Sequence, residues 1–330
     1  MEKVSCPLCQ AEDAPELMSV YDWFNGNGGP FTFVRCKQCG LTYLNPRPSG
    51  AELVHFNQTM WERWSISEQS KEHIGSPETA FQTYREIVNE LNDRKPEKGT
   101  LLEVGSGQGG FLKVCQDQGW EVYGMDISQE CVAYIKSEHR IDKAFVADLL
   151  DAGFEDNQFD VVIFNHLIEH LADPQIYLEE INRILKPQGI LVISTPNIDS
   201  LSAQIYGKYW QALFVPLHLV LFSPATLSRI LGETRFTDIK ISHFSRITNA
   251  YISLRSLSYV LGQVIRKNIS RSDDYFYSDT SVDDGKQESR SRIIFRSLKP
   301  ILNLLISPIV WGESVLKRGA SMTVYATPKK

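Results

Sequence analysis

A chain of 330 residues, 42% hydrophobic and 22% charged, has ordinary globular composition and room for one domain of about 200 residues plus a smaller module. Its formal net charge of -6 speaks against a general grip on nucleic acid, whose phosphates demand clustered Lys and Arg, so no nucleic-acid partner is expected. Met1 to Glu16 contain no basic region followed by an apolar stretch, which predicts a cytoplasmic protein without a secretory signal.

The chain begins with two knuckles, Cys6-Pro7-Leu8-Cys9 and Cys36-Lys37-Gln38-Cys39-Gly40. In a long cytosolic chain, paired cysteines at this spacing point to a metal rather than to disulfides, and Cys115 and Cys131 are left over. Thiolates from Cys6, Cys9, Cys36 and Cys39 would close a tetrahedral zinc shell with no position for water, so the zinc would be structural and not the catalyst. Redox or unliganded pairs stay as the alternative. Extended segments at Phe31-Val34 and Leu41-Leu44 flank a loop rich in Asn and Gly at Asn25-Gly29, and residues 1–48 are read as a zinc ribbon. Residues 49–98 form a helical lead-in, with Phe81, Tyr84, Ile87, Val88 and Leu91 at spacings of three and four, closed by Arg94-Lys95-Pro96-Glu97-Lys98-Gly99.

From Thr100, strand-length apolar runs alternate with helical periods. The expected strands are Leu101-Val104, Val122-Met125, Ala144-Val146, Val161-Phe164 and Leu191-Ser194. The expected helices lie near Phe111-Gln118, Gln129-Lys136 and Ile176-Leu185. This alternation predicts an α/β fold with a parallel sheet covered on both faces. Beyond Thr195-Pro196-Asn197 come an aromatic segment, Tyr206 to Phe222, a helix starting near Ser223-Pro224 and a strand at Ile239-His243. The core is assigned to residues 99–244, a helical insertion to 245–320 and the final strand, Met322-Ala326, to 321–330. Within the insertion the polar run Ser270-Arg292 is expected to be mobile.

The strongest chemical signal is the strand Leu101-Leu102-Glu103-Val104 running into Gly105-Ser106-Gly107-Gln108-Gly109-Gly110. Glycine there lets the backbone bend tightly and lets a ligand approach it closely. Gly105, Gly107 and Gly110 also satisfy the dinucleotide fingerprint, in which a helix N-terminus receives a pyrophosphate, so a nicotinamide-dependent oxidoreductase is a second reading. Glu103 separates the two, because a carboxylate beside the loop repels a pyrophosphate and suits a cationic amino-acid ligand. Asp126 ends the next strand, where an acid can accept both ribose hydroxyls, and Asp148 follows the third.

These residues resemble the class I S-adenosylmethionine-dependent methyltransferases, whose Glu-x-Gly-x-Gly-x-Gly motif stands here as Glu103 to Gly109. The resemblance spans roughly Ser76 to His243 plus the last strand, and extends to Phe159-Asp160-Val161-Val162, Glu169-His170-Leu171 and Leu185-Lys186-Pro187-Gln188-Gly189. It implies a Rossmann-like seven-stranded mixed sheet with the last strand antiparallel. It also implies a cofactor site of Glu103, Gly105, Ser106, Gly107, Gly109, Asp126, Ile127, Asp148, Leu149, Asn165 and His166. By it Asp126 binds ribose, Asp148 the adenine amino group with Leu149 beside the ring, and Asn165-His166 border the methionine moiety. One departure is Thr234-Arg235-Phe236, where such proteins often carry Gly before Phe. Arg35-Cys36 to Asn45-Pro46-Arg47-Pro48 resembles the segment that joins a ribbon to the main domain in certain bacterial methyltransferases of glycan and natural-product pathways. Among these are sugar C-methyltransferases, whose further C-terminal domain is not expected here.

His166-Leu167-Ile168-Glu169-His170 spells the motif of inverted zinc peptidases, but it directly follows a buried strand and has no convincing downstream acidic ligand. Methyl transfer to a hydroxyl needs alignment and removal of a proton, and His170 and His218 are the candidate bases. Tyr206, Tyr209, Trp210 and Phe214 either wall an acceptor pocket or pack beneath it. A helical stripe of Leu254, Leu257, Leu261, Val264 and Ile265, and an apolar portion from Ile301 to Ile306, are too interrupted to span a membrane. Packing, a homodimer face and peripheral contact of residues 251–318 with the inner membrane surface are the open roles. The expected activity is O-methylation of a small-molecule or saccharide acceptor, lipid-linked if that contact exists. A non-catalytic scaffold that keeps the cofactor fold is the reading from a different class.

Overall fold

The computed structural model describes residues 1–22, 28–56, 77–243, 246–268, 304–313 and 315–330. The run Ser270-Arg292 and residues Asn25 to Asn27 of the Asn/Gly loop lie outside the described residues. In chain order the elements are β1 (Glu16–Val20), β2 (Phe31–Arg35), β3 (Thr42–Leu44), α1 (Pro77–Arg94), β4 (Thr100–Val104), α2 (Gly110–Asp117) and β5 (Glu121–Asp126). There follow α3 (Gln129–Glu138), β6 (Ala144–Val146), β7 (Phe159–Asn165), α4 (Pro174–Ile184), β8 (Leu185–Pro196) and α5 (Leu201–Tyr206). The last are β9 (Val220–Leu221), α6 (Pro224–Glu233), β10 (Phe236–Ser242), α7 (Arg246–Asn268) and β11 (Ser321–Pro328). The chain divides into two compact units.

The unit comprising Ile74–Pro196, Phe222–Ser242 and Ser321–Lys330 holds a seven-stranded sheet in the order β10-β11-β8-β7-β4-β5-β6. The β4-β5, β4-β7, β5-β6 and β7-β8 pairs are parallel, whereas β11 runs antiparallel to both β8 and β10. This is the expected mixed sheet with its last strand reversed. Leu101, Leu102 and the whole run Val161 to Phe164 are fully buried, as continuous apolar strands covered on both faces must be. Ile87, Val88 and Leu91 of α1 and Phe111, Leu112 and Cys115 of α2 join that core, so Cys115 acts as a small apolar filler.

Helix starts follow local chemistry. Ser128 accepts the Cys131 amide at the head of α3, and Asp173 accepts the Gln175 amide before Pro174 at the start of α4. Ser223 and Thr226 form a capping box on α6 with Pro224 in its first turn. Each such cap contributes about 1 kcal/mol. Strand β8 is longer than Leu191-Ser194 because Leu185 already pairs with Phe159. The register then slips between Phe159 and Val161, whose partner is Ile190, so Lys186 to Gly189 bulge out as a turn set within the strand. At Arg235 the turn expected to want glycine is kept with φ of 62° in an arginine. Asn182 Nδ2 donates to the carbonyls of Thr234 and Arg235 at 3.2 and 2.9 Å, which holds that turn in place.

The other unit comprises Met1–His73, Asn197–Leu221 and His243–Ala320. Its sheet, β1-β2-β3-β9, is antiparallel throughout and buries Phe33, Tyr43 and Leu44. The Phe31-Val34 and Leu41-Leu44 segments are strands as expected, while β1 and the two-residue β9 were not anticipated. Ser256 Oγ accepts the Gln211 amide at 2.9 Å, which ties α7 to the aromatic segment. Leu254 and Ile306 meet in a small apolar cluster joined by Ala250 and Leu257, so that part of the predicted stripe packs inward. No described helix is long and apolar enough to cross a membrane.

Candidate functional site

Strand β4 delivers Glu103, 2% exposed, to the start of the glycine bend. Gly105, Gly107 and Gly109 all have left-handed φ, of 69, 50 and 73°, which an L side chain rarely adopts. At Gly105 a Cβ would come within 2.9 Å of Leu167, whereas around Gly107 there is open space, so the bend presents bare backbone there. Ser106 anchors the bend to the neighbouring strand, its amide and hydroxyl donating to the Met125 carbonyl at 2.9 and 3.2 Å. Helix α2 begins with no side-chain cap, so no side chain of its N-cap residue, Gly109, satisfies its first amides.

The strand-end carboxylates sit in unlike surroundings. Asp126 Oδ2 accepts the Gly107 amide at 2.8 Å and Oδ1 the Ser128 amide at 2.9 Å. Burial raises its pKa, and these amides with that of Ile127 pull it back only in part. Ile127 beside it is 70% exposed. Asp148 Oδ1 accepts the Leu150 amide at 3.0 Å and caps a turn of three-residue helix, Leu149–Asp151, in which Leu149 is buried. The Tyr177 hydroxyl of α4 donates to Asp148 Oδ2 at 2.7 Å.

Glu103 is the most unusual of the set. Its Oε2 is buried without a hydrogen-bond partner. Burial drives its pKa far above the usual carboxylate range, the Asn165 side chain opposes this by hydrogen bonding, and the Asp126 charge adds to the rise. Glu103, Asp126 and Asn165 are thus brought together at the ends of β4, β5 and β7. Next to them His166 sits at φ of 55°, a conformation that a non-glycine residue holds only when its neighbours enforce it. Beside it runs a side-chain relay that the sequence reading missed: Thr195 Oγ1 donates to the buried Glu169 Oε2 at 2.9 Å, and Glu169 Oε1 meets the half-exposed His166 Nδ1 at 3.2 Å. Glu169 is fully buried, and both of its carboxylate oxygens are engaged in that chain. His170 closes the short turn Ile168–His170, its amide donating to the Leu167 carbonyl at 2.9 Å.

In the other unit His218 is buried, and its Nδ1 lies 2.8 Å from the Ala212 carbonyl. A carbonyl only accepts, so Nδ1 carries the proton and Nε2 is the basic nitrogen of the neutral ring. Tyr206 and Trp210 are buried, and Trp210 with Phe214 lines a cavity of about 20 Å³, room for one water rather than for a sugar.

The same unit brings the four cysteines together. Their sulfurs all lie within 4.8 Å of one another, with Cys6–Cys39 at 3.4 Å and Cys9–Cys36 at 3.5 Å. Zinc–thiolate bonds of about 2.3 Å require sulfur–sulfur edges of roughly 3.8 Å, so the donor set fits that ion with small adjustment. The knuckles close alike: the Gln10 amide donates to the Cys6 carbonyl and the Gly40 amide to the Cys36 carbonyl, both at 2.9 Å. Gln10 and Gly40 both take left-handed φ to do so, 60 and 80°. None of the six cysteines is in a disulfide.

Comparison with known proteins agrees with the geometry. The profile of a methyltransferase-domain family matches residues 77–241, half of the chain. A malonyl-[acyl-carrier protein] O-methyltransferase of Enterobacter lignolyticus is 31% identical over 180 residues, covering 52% of this chain and 70% of that protein. A probable S-adenosylmethionine-dependent methyltransferase of Mycolicibacterium smegmatis is 33% identical over 98 residues, 29% of this chain and 38% of its own length. A solved S-adenosylmethionine-dependent methyltransferase from Archaeoglobus fulgidus superposes with a TM-score of 0.49 at 20% identity, over 78% of this chain and 96% of that one. The chain belongs to this methyltransferase-domain family and is an S-adenosylmethionine-dependent methyltransferase. That assignment favours the sulfonium cofactor over the dinucleotide.

The residues fit that cofactor. A sealed carboxylate oxygen with no donor is what a cationic amino group would complete, and an open bend at Gly107 admits a ligand against backbone.

Proposed function

We propose that this methyltransferase acts on a hydroxyl oxygen of a saccharide or similar small metabolite, with its cofactor held along the carboxyl ends of β4 to β7. The observation that carries the cofactor placement is the orphaned Glu103 Oε2. When bound, S-adenosylmethionine supplies an electrophilic methyl group on a positively charged sulfur. Glu103 accepts its amino group, Gly105, Ser106, Gly107 and Gly109 offer backbone, and Asp126 takes the ribose hydroxyls with lone pairs its two amide bonds leave over. Asp148, set by Tyr177, addresses the adenine amino group with Leu149 and Ile127 against the ring, and Asn165 and His166 border the methionine end. His170 and His218 are the candidate bases, His218 through Nε2. Cys6, Cys9, Cys36 and Cys39 hold structural zinc. Oxygen as the target atom is supported by the name of the Enterobacter relative. A saccharide acceptor is supported by the resemblance of the Arg35 to Pro48 segment to that of glycan enzymes.

Incubating the protein with S-adenosylmethionine carrying a labelled methyl group and a desalted cell extract tests the assignment. Label recovered as an O-methyl sugar after acid hydrolysis supports it. Label in protein, in amines or nowhere contradicts it, and cofactor binding without any transfer favours the non-catalytic scaffold.

A further inference from the structure

The turn that follows β7 is clamped at several points and leaves one ring at the surface. Asn165 hydrogen-bonds to Glu103. A Cβ built on Gly105 would stand 2.9 Å from Leu167 Cδ1, so the turn presses on the glycine bend itself. Glu169, fully buried, takes the Thr195 hydroxyl on Oε2 at 2.9 Å. The His166 amide donates to the Ser194 carbonyl at 2.8 Å, which pins that residue to β8 at its left-handed φ. On this fixed backbone the His166 side chain is 41% exposed, while Ile168 and Glu169 are sealed. The ring is held as well. Glu169 Oε1 lies 3.2 Å from Nδ1, and a carboxylate only accepts, so Nδ1 carries the proton and Nε2 keeps its lone pair. One buried carboxylate, itself held by a hydroxyl, thereby sets both the tautomer and the orientation of the imidazole.

We propose that His166 is the base that takes the acceptor's proton, with Glu169 and, behind it, Thr195 as positioning residues. The inference rests on the methyl-transfer reading above and narrows its choice of base. Of the three histidines concerned, His166 is the most exposed, His170 is half-buried and His218 is buried. Its place in the chain suits the role: it adjoins Asn165, the partner of Glu103, and in S-adenosylmethionine only a short carbon chain separates the amino group that Glu103 accepts from the sulfur. The acceptor's O–H bond breaks and its proton passes to Nε2, while the oxygen lone pair forms the bond to the methyl carbon. The electron pair of the breaking carbon–sulfur bond stays on sulfur. The ring, now protonated at both nitrogens, has its new charge met by the Glu169 carboxylate.

The test removes the ring and separately reads its state. His166→Gly suits a left-handed backbone and so spares the fold. It should cut the rate of methyl transfer from labelled S-adenosylmethionine to a desalted cell extract by about 10²–10⁴-fold. Its S-adenosylhomocysteine affinity should stay within about tenfold of the parent's, and added imidazole should raise its transfer rate at least about tenfold. Glu169→Gln should cost about tenfold in the parent and nothing further in His166→Gly, because it acts through the ring; the milder Thr195→Val should follow the same pattern. Heteronuclear NMR of the S-adenosylhomocysteine complex should show the neutral His166 ring protonated at Nδ1. Parental transfer by His166→Gly, a loss that imidazole does not relieve, equal costs of Glu169→Gln and Thr195→Val with and without the ring, or a neutral ring protonated at Nε2 overturns the proposal. A parent that binds S-adenosylhomocysteine yet transfers label to nothing removes the acceptor reading instead, and the tautomer then decides the proposal by itself.

Discussion

Replacing Glu103 by Gln should move stability and cofactor affinity in opposite directions. In the ligand-free protein the Glu103 carboxylate is sealed from water with one oxygen unpartnered, and its pKa lies far above the usual value. A group that holds its proton more tightly when folded contributes stability below its unfolded pKa and loses it as pH rises toward the folded one. The ligand-free parent should therefore lose melting temperature as pH climbs from about 4.3 toward neutrality, and Glu103→Gln should flatten that slope. Sparing the folded chain a buried carboxyl that must either take up a proton or ionise unpaired is worth about 1–3 kcal/mol, which for a chain of this size is a rise of several degrees at neutral pH. Binding responds the other way. A hydrogen bond between charged groups contributes about 1.5–3 kcal/mol, so S-adenosylhomocysteine should bind roughly 10- to 150-fold more weakly to the variant. Calorimetry in two buffers of different ionisation heat adds a third reading, because the parent should release a proton on binding and the variant should not. Equal affinity for parent and variant, with the same proton count, would refute the role given to Glu103.

Other predictions are simpler. Tyr177→Phe takes away the hydroxyl that Asp148 Oδ2 accepts and should weaken S-adenosylhomocysteine about tenfold with little change in fold, since the Leu150 amide still holds Oδ1; calorimetry checks it. Cys36→Ser should release the metal to a chromogenic chelator and lower melting of the ribbon, whereas the parent should retain one zinc per chain by elemental analysis. Arg235→Gly should raise the melting temperature by a few degrees, because a left-handed non-glycine residue costs roughly 1 kcal/mol and the exposed side chain gives little back. A fall in melting temperature there would show that Arg235 makes contacts worth more than its strain.

Much of this site was legible because its signals are local. The glycine bend, the carboxylates at Glu103, Asp126 and Asp148, and the paired cysteines are each set by a few consecutive residues, and strand-length apolar runs located the sheet that carries them. What escaped depends on register between distant segments. Nothing near Tyr177 announces that its hydroxyl will meet Asp148, and Thr195 reaches Glu169 only because β8 lies beside β7. Strand β9 was hidden because its two residues become a strand only by pairing with β3. The apolar portion beginning at Ile301 was visible, yet its direction was not, since a helical period marks a face without saying whether that face looks inward.

The central claim is that the sealed carboxylate and the bare bend serve a sulfonium cofactor, and direct titration tests it best. Calorimetry on the folded, zinc-replete chain should give saturable heat with S-adenosylmethionine, displaced by S-adenosylhomocysteine and unaffected by NAD. Heat with NAD and none with either adenosyl ligand would contradict the account.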